Sequence, residues 1–110
     1  MIRKIIFVCT GNTCRSPMAA ALFSDLCRRR GADCPETLSA GLAVFAPSGA
    51  SAHALNVMKE LGFDLSAHVS RQLSKDMWDD ETLFVPMTSA HRRALEAAGV
   101  PPENIRALGE

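Results

Sequence analysis

The segment Lys4–Cys9, with the sequence KIIFVC, constrains the fold more than any other stretch of the chain. It is a short, continuous apolar run rich in β-branched and aromatic side chains, which is typical of a strand buried on both faces. Strands of this kind occur in parallel sheets covered by helices. The residues that follow alternate between helical and strand-like patterns, which predicts a three-layer α/β fold with helices on both faces of the sheet.

The predicted elements beyond the first strand have recognisable starts and stops. The first helix is expected to begin at Ser16-Pro17, with Ser16 as its N-cap, and to end before Gly31. The other predicted helices cover Ser51–Leu61, Thr88–Ala98 and one or two turns within Ser74–Asp79, and the other predicted strands are Thr37–Ala40, Thr82–Met87 and Asn104–Leu108. Pro86 is expected at the end of its strand or in a frayed part of it, because proline donates no ladder hydrogen bond.

Length and charge limit the classes of protein to consider. The 110 residues predict a single domain over residues 1–110, and 47% hydrophobic residues exclude a disordered chain. Twelve basic residues balance twelve acidic ones, so binding to nucleic acid driven by bulk charge is not expected. Residues 1–55 hold six basic and three acidic residues, which favours the N-terminal half for an anion site.

No apolar run is long enough to span a membrane, and the apolar stretch near the N-terminus is too short for a signal peptide. The four cysteines, Cys9, Cys14, Cys27 and Cys34, all lie in the first third of the chain, so they do not form a disulfide framework. We therefore expect free thiols and a cytoplasmic protein. The spacing of these cysteines also predicts no metal site.

The residues between the first strand and the first helix carry the strongest chemical signal. This loop runs from Cys9 to Ser16 with the sequence CTGNTCRS. Ligands of open α/β sheets bind at the carboxyl ends of the strands, and a helix N-terminus favours an oxyanion. Arg15 can hold two oxygens of such an anion, and Gly11 and Asn12 tolerate the backbone angles of a tight loop.

Cys9 is the candidate nucleophile of this loop. The helix N-terminus and Arg15 favour its thiolate, and the hydroxyl of Ser16 can hydrogen-bond to it. A nucleophile inside an anion cradle implies displacement on a phosphoryl group through a phosphocysteine intermediate, without a cofactor. A lone cysteine at a strand end is more often a small buried apolar residue, so the reading depends on the strand and helix around it.

Residues 8–19, with the sequence VCTGNTCRSPMA, resemble the signature of the low-molecular-weight protein phosphatase family. The stretches Ser39–Gly41 (SAG), His68–Leu73 (HVSRQL) and Met87–His91 (MTSAH) resemble it too. The resemblance implies a flavodoxin-like fold with four parallel strands in the order 2-1-3-4, and a phosphorylated protein substrate. It implies Cys9 as nucleophile, Asn12 as loop organiser and Ser16 as donor to the thiolate. The implied phosphate ligands are Arg15 and the loop residues Thr10, Gly11, Asn12, Thr13, Cys14 and Ser16, mainly through their amides.

Thr13 and the pair Met87-Thr88 indicate which branch of that family the chain resembles. Thr13 resembles the protein-arginine phosphatase branch, since tyrosine-specific members usually carry an aliphatic residue there. Met87-Thr88 also resembles the arginine branch, although Thr88 is equally explained as a helix N-cap. We therefore predict that phosphoarginine is preferred over phosphotyrosine.

The family's pattern continues after the fourth strand with an Asp-Pro loop, whose Asp is the general acid, and a final helix. The sequence contains no Asp-Pro dipeptide, and Asp76, Asp79 and Asp80 precede the third strand, so no general acid is assigned. We expect impaired catalysis, since acid assistance is typically worth about 10²–10⁴-fold. The alternative is a catalytically weak module that binds an oxyanion or a partner. An uncovered sheet face would favour self-association.

Several other residues have two readings. Cys14 is either a redox partner of Cys9 or a loop-packing residue, and Phe45 either lines the substrate pocket or is an ordinary loop residue. Cys27 is expected in the core and Cys34 in a loop. The three histidines are expected to be capping or surface residues: His53, His68 and His91.

Overall fold

A three-stranded parallel sheet lies at the centre of the computed structural model, which describes residues 2–31 and 33–107. In chain order the elements are β1 (Lys4–Cys9), α1 (Arg15–Arg29), β2 (Glu36–Gly41), α2 (Ala52–Glu60), a 3-10 helix (Lys75–Met77), β3 (Thr82–Pro86), α3 (Ser89–Ala97) and a 3-10 helix (Pro102–Asn104). The alternation of strands and helices confirms the predicted α/β class.

The strand order is β2-β1-β3, with β1 paired in parallel to both neighbours. The register aligns Cys9 with Gly41 and Val8 with Pro86, so the carboxyl ends of all three strands meet at one edge of the sheet. Pro86 is the last residue of β3, where its missing N–H removes no ladder bond. This edge is where the loop that follows Cys9 begins.

Helices cover both faces of the sheet. On one face Ile6, Val8 and Phe84 are fully buried and pack with Leu95 of α3. On the other face, apolar side chains of β1 and β3 pack against α1, with the rings of Phe7 and Phe23 5.9 Å apart. Fully burying an apolar side chain stabilises a fold by roughly 1.5–3 kcal/mol. Alternate residues of β1 thus hold both helical layers, and α2 packs beside α1.

The predicted fourth strand, Asn104–Leu108, is wrong for the residues that are described, and Leu108 lies outside them. The chain forms only an isolated parallel bridge between Ile105 and Phe84, and the backbone N–H of Arg106 donates to the carbonyl of Phe84 at 2.9 Å. The 3-10 turn that begins at Pro102 occupies the start of the segment, so little extended chain remains to pair. The order 2-1-3-4 is therefore not observed, and the sheet is three-stranded over the described residues.

The prediction that Ser16 caps α1 is also wrong. The helix begins at Arg15 after Cys14, and no side chain caps it. Ser16 is buried inside the first turn, where its hydroxyl has a different partner, described below. The other two helices do have side-chain caps: Ser51 Oγ accepts from the N–H of Ala54, and Thr88 Oγ1 accepts from that of His91. The N-cap reading of Thr88 is confirmed.

Cys27 and Cys34 form a disulfide, which corrects the expectation that all four cysteines are free thiols. The two residues lie on either side of the turn between α1 and β2, with their Cα atoms 5.9 Å apart. That distance is within the range a disulfide spans. Because two of the cysteines are disulfide-bonded, the cysteines no longer indicate a reducing compartment. Cys9 and Cys14 are free.

Candidate functional site

Asn12 organises the loop between β1 and α1. Its φ of 57° is left-handed, which asparagine tolerates better than most residues, and its side chain is completely buried. The amide Nδ2 donates to Ser16 Oγ at 2.9 Å, while Oδ1 accepts from the backbone N–H of Arg71 at 2.9 Å. These two bonds fix the orientation of the amide, and the second connects the loop to Arg71, 59 residues further along the chain. Asn12 therefore links the loop to the first turn of α1 and to the backbone of Arg71.

The thiol of Cys9 points back into this loop. Its Sγ lies 2.8 Å from Ser16 Oγ and 3.2 Å from the backbone nitrogen of Asn12, which donates to it. Ser16 Oγ already accepts a proton from Asn12 Nδ2, so its own proton is free to be donated to the sulfur. Two donors are therefore directed at the sulfur of Cys9, which is buried.

The backbone around the thiol offers hydrogen-bond donors to a ligand. Within the described residues, the N–H groups of Gly11, Thr13 and Cys14 donate to no group of the chain. The first turn of the 15-residue helix α1 adds the positive end of its dipole, and the exposed side chain of Arg15 lies at its start. This set of groups can receive a tetrahedral oxyanion next to the sulfur, with Arg15 available to hold two of its oxygens.

Three residues from β2 and the chain after it hold the loop from outside. Gly41, at the end of β2, is so close that an added Cβ would lie 2.6 Å from the carbonyl oxygen of Thr10. The Nε2–H of His68 donates to the carbonyl of Asn12 at 2.7 Å, and the N–H of Ser51 donates to that of Thr13 at 2.7 Å. Contacts with residues distant in sequence therefore hold the loop carbonyls in place.

His91 provides a fourth contact, on α3. Its Nε2 lies 2.9 Å from Thr10 Oγ1 and its Nδ1 lies 3.0 Å from Thr88 Oγ1. Burial lowers the pKa of His91, and the positive charge of Arg15 lowers it further. The expectation that His68 and His91 are merely capping or surface residues is therefore wrong, because both bind the loop. His53 is exposed, as expected.

The sequence did not predict the loop contacts of four residues, which all come from the stretches that support the family resemblance. Gly41, His68, Arg71 and His91 all lie in the three short stretches SAG, HVSRQL and MTSAH. Those stretches supported the family resemblance, but single-chain patterns gave no reason to place them against the loop. Of the remaining candidates, Cys14 is a partly exposed free thiol, and Phe45 is 98% exposed in the loop after β2. The three aspartates before β3 lie outside the loop's hydrogen bonds. Asp76 accepts from Ser74, and Asp79 accepts from the N–H of Glu81.

In residues 2–31 and 33–107, no three His, Cys, Asp or Glu side chains lie close enough together to hold a metal ion. None of the helices in that part of the chain has the length and apolar character needed to cross a bilayer.

The fold and the loop together define a doubly covered parallel α/β protein with a cysteine thiol set among free backbone donors at a helix N-terminus. Residues 4–110 match the sequence profile of low molecular weight phosphotyrosine protein phosphatases. The chain is 47% identical over 89 residues to the protein-arginine-phosphatase of Geobacillus stearothermophilus, an alignment that covers 81% of the chain and 57% of that relative. The chain belongs to the low molecular weight phosphotyrosine protein phosphatase family.

A second relative and a solved structure agree with this assignment. A probable low molecular weight protein-tyrosine-phosphatase, EpsP of Ralstonia solanacearum, is 35% identical over 97 residues, covering 88% of the chain and 63% of the relative. The crystal structure of a YwlE mutant from Bacillus subtilis superposes with a TM-score of 0.87 at 35% identity, covering 96% of this chain and 70% of that one. The chain thus spans about three fifths of the length of the curated relatives it matches.

Proposed function

We propose that the chain dephosphorylates protein side chains through a phosphocysteine intermediate. The carrying observation is the pair of donors, Ser16 Oγ and the N–H of Asn12, that converge on Cys9 Sγ. The thiolate attacks phosphorus while the bond from phosphorus to the leaving nitrogen or oxygen breaks, and the leaving atom takes up a proton. Water then attacks the phosphocysteine, releasing inorganic phosphate and restoring the thiolate.

We assign the site residues the following roles. Arg15 and the amides of the loop hold the three non-bridging oxygens, and they stabilise the charge that these carry in the transition state. Asn12 keeps the loop in its left-handed turn, and Ser16 compensates the sulfur when the phosphocysteine breaks down. The loop residues proposed to contact phosphate are Thr10, Gly11, Asn12, Thr13, Cys14 and Ser16. Cys14 is further proposed as the redox partner of Cys9.

We assign phosphoarginine as the preferred substrate on the basis of Thr13. Its carbonyl is held by the N–H of Ser51 at 2.7 Å, so its side chain is presented from a fixed backbone beside the loop donors. A polar, branched side chain there narrows the site around a planar guanidinium, whereas an aliphatic one leaves an apolar surface for a ring. The relative named a protein-arginine-phosphatase at 47% identity supports the same preference. Phe45 is proposed to meet the substrate from the loop after β2.

The rate of residues 1–110 alone is proposed to be limited by departure of the leaving group. Among the described residues, no ion pair includes Arg15, and Asp76 and Asp79 are engaged elsewhere, so no general acid is assigned. Phosphate binding depends only on local groups and is expected to be intact. A binding module that holds an oxyanion without turning it over is the second candidate function, favoured by the same observations.

One experiment separates these functions. Single-turnover release of phosphate from phosphoarginine and phosphotyrosine peptides is measured for the parent chain, Cys9→Ser and Thr13→Ile. We expect the parent to favour phosphoarginine, Cys9→Ser to release nothing, and Thr13→Ile to shift the ratio toward phosphotyrosine by about tenfold, the effect of one lost or gained polar contact. Phosphate binding by the parent without any release would establish the binding module, and an unmoved ratio would remove Thr13 as the selector.

We also propose that the chain self-associates. Because helices cover both faces of the sheet, the surface proposed is the outer face of α1 and not the uncovered sheet face that the sequence predicted. Leu22 and Leu26, one turn apart, are 38% and 57% exposed, and Leu26 lines a cleft of about 240 Å³ with Phe23, Cys27 and Arg30. Apolar surface of this kind is stabilised by burial against a partner. Sedimentation equilibrium is expected to show a dimer that Leu26→Glu dissociates. Val69→Glu is the matched control, since Val69 is also 57% exposed but lies elsewhere. A monomer at all concentrations, or equal effects of both variants, would contradict the proposal.

A further inference from the structure

His91 joins the two ends of the candidate site that are furthest apart in sequence. It lies in the first turn of α3, is only 7% exposed, and reaches Thr10 across a separation of 81 residues. The reaction proposed above assigns it no step. A buried, titratable side chain with a partner at each ring nitrogen has a defined geometry, which constrains what it can do.

The hydrogen bonds around His91 accommodate a neutral ring with its proton on Nε2. Thr88 Oγ1 accepts the backbone N–H of His91 at 3.2 Å and can donate its hydroxyl proton to Nδ1, which is 3.0 Å away. In this tautomer Nε2 donates to Thr10 Oγ1 at 2.9 Å. The lowered pKa of His91, caused by its burial and by Arg15, agrees with a neutral ring.

Thr10 is therefore held at two points. Its hydroxyl accepts from His91, and its carbonyl accepts from the N–H of Ala43 at 3.0 Å. Thr10 lies directly between Cys9, which carries the sulfur, and Gly11, which carries the next backbone donor. A shift of Thr10 would therefore disturb both neighbours.

We infer that His91 is a positioning residue, whose neutral Nε2–H fixes Thr10 and through it the thiolate of Cys9 and the N–H of Gly11. This inference rests on the proposed function, because it assigns His91 to the same site. In this role His91 acts only through Thr10 and does not contact the substrate. A residue that serves only to fold α3 would need the Thr88 contact but not the Thr10 contact.

Two substitutions separate these contacts. The side-chain amide of Asn reaches about as far as Nδ1 of histidine, and that of Gln about as far as Nε2. His91→Gln therefore keeps a donor toward Thr10, whereas His91→Asn keeps only the contact to Thr88. The readout is the rate constant for carboxymethylation of Cys9 by iodoacetate in the full chain, with the modified cysteine located by tandem mass spectrometry. Inorganic phosphate is added as a competing anion.

We expect His91→Asn and Thr10→Val each to slow carboxymethylation about fivefold and to weaken protection by phosphate, as befits one lost neutral hydrogen bond. His91→Gln should stay within about twofold of the parent, and the double variant His91→Asn/Thr10→Val should be no slower than Thr10→Val. His53→Asn is the matched control, because His53 is exposed on α2. Iodoacetate displacement needs no phosphoryl transfer, so the result is informative even for a chain that turns over no substrate.

Three results would overturn the inference. They are an unchanged rate in His91→Asn, equal losses in His91→Asn and His91→Gln that follow their melting temperatures, and additive losses in the double variant. A second measurement on the unmodified protein is independent of how the variants fold. The ¹⁵N shifts of the His91 ring should show the neutral tautomer protonated at Nε2, and a ring protonated at Nδ1 or at both nitrogens would equally refute it.

Discussion

The two ends of α1 are fastened by cysteine-containing segments in opposite ways. At the N-terminal end, Cys9 and Cys14 are free thiols, and hydrogen bonds from distant segments hold the loop around them. At the C-terminal end, a covalent bond joins Cys27 to Cys34 across an exposed turn. A cysteine that acts as a nucleophile cannot be in a disulfide while it reacts. If Cys9 has this role, the polar groups around it must hold it in position. The other end of the helix has no such restriction.

The polar groups at these two ends differ as well. Near the C-terminus of α1, Asp25 pairs with Arg28 and Arg29, whose side chains are 75% and 74% exposed. Exposed pairs of this kind contribute little to stability, with a median of about 0–1 kcal/mol. At the N-terminus the network around Asn12 and Ser16 is fully buried. Buried polar groups lose much more when a partner is removed, so the sensitivity to mutation should be concentrated at the loop.

The largest effect is expected at Asn12. Asn12→Ala removes the bonds to Ser16 and to the N–H of Arg71 and places at positive φ a residue that tolerates this conformation less well than asparagine, so the free energy of unfolding should fall by about 3 kcal/mol. Asn12→Gly is the matched variant, because it loses the same bonds but tolerates the backbone, and it should lose about 1 kcal/mol less. Urea unfolding measures both. Equal losses would mean that the left-handed turn contributes nothing.

A smaller effect is expected at the disulfide. Cys27→Ser/Cys34→Ser opens a closed loop with a sequence separation of 7, which should lower the free energy of unfolding by about 2–2.5 kcal/mol through the entropy of the unfolded chain. Carboxymethylation of Cys9 should be unchanged, because the loop is held without this link. Reduction of the parent chain by dithiothreitol provides the control without substitution. A slower Cys9 in the double variant would show that the two ends of α1 are coupled, contrary to the contrast drawn between them.

The parts of the fold that sequence predicted are those specified by neighbouring residues. The apolar run of β1, the glycine after α1 and the loop CTGNTCRS with its thiol and arginine are all local patterns. The contacts that hold the loop are not local, since His68 and His91 reach it across 56 and 81 residues. No periodicity or spacing rule specifies such contacts, so these histidines could be identified only by the folded arrangement.

The errors have equally specific causes. Ser16 has the residue type of an N-cap, but its hydroxyl is bound to the sulfur and to Asn12, and this tertiary contact overrides the local preference. The disulfide was missed because its formation depends on the approach of two Cα atoms across a turn, which spacing alone does not determine. The predicted fourth strand was wrong because a 3-10 turn, Pro102–Asn104, occupies the start of that segment.

The long reach of the contacts around the loop has a consequence for the order in which the molecule is made. Synthesis at about 5–20 residues per second delivers His91 roughly 4–16 s after Thr10. Arg71 and Ser51 also follow the loop, and β1 has no sheet partner until residue 36 has emerged. Contacts between distant residues form late in folding. Cys9 therefore begins as an unprotected thiol on a nascent chain, and it acquires its donors and its orientation only after most of the protein has been translated.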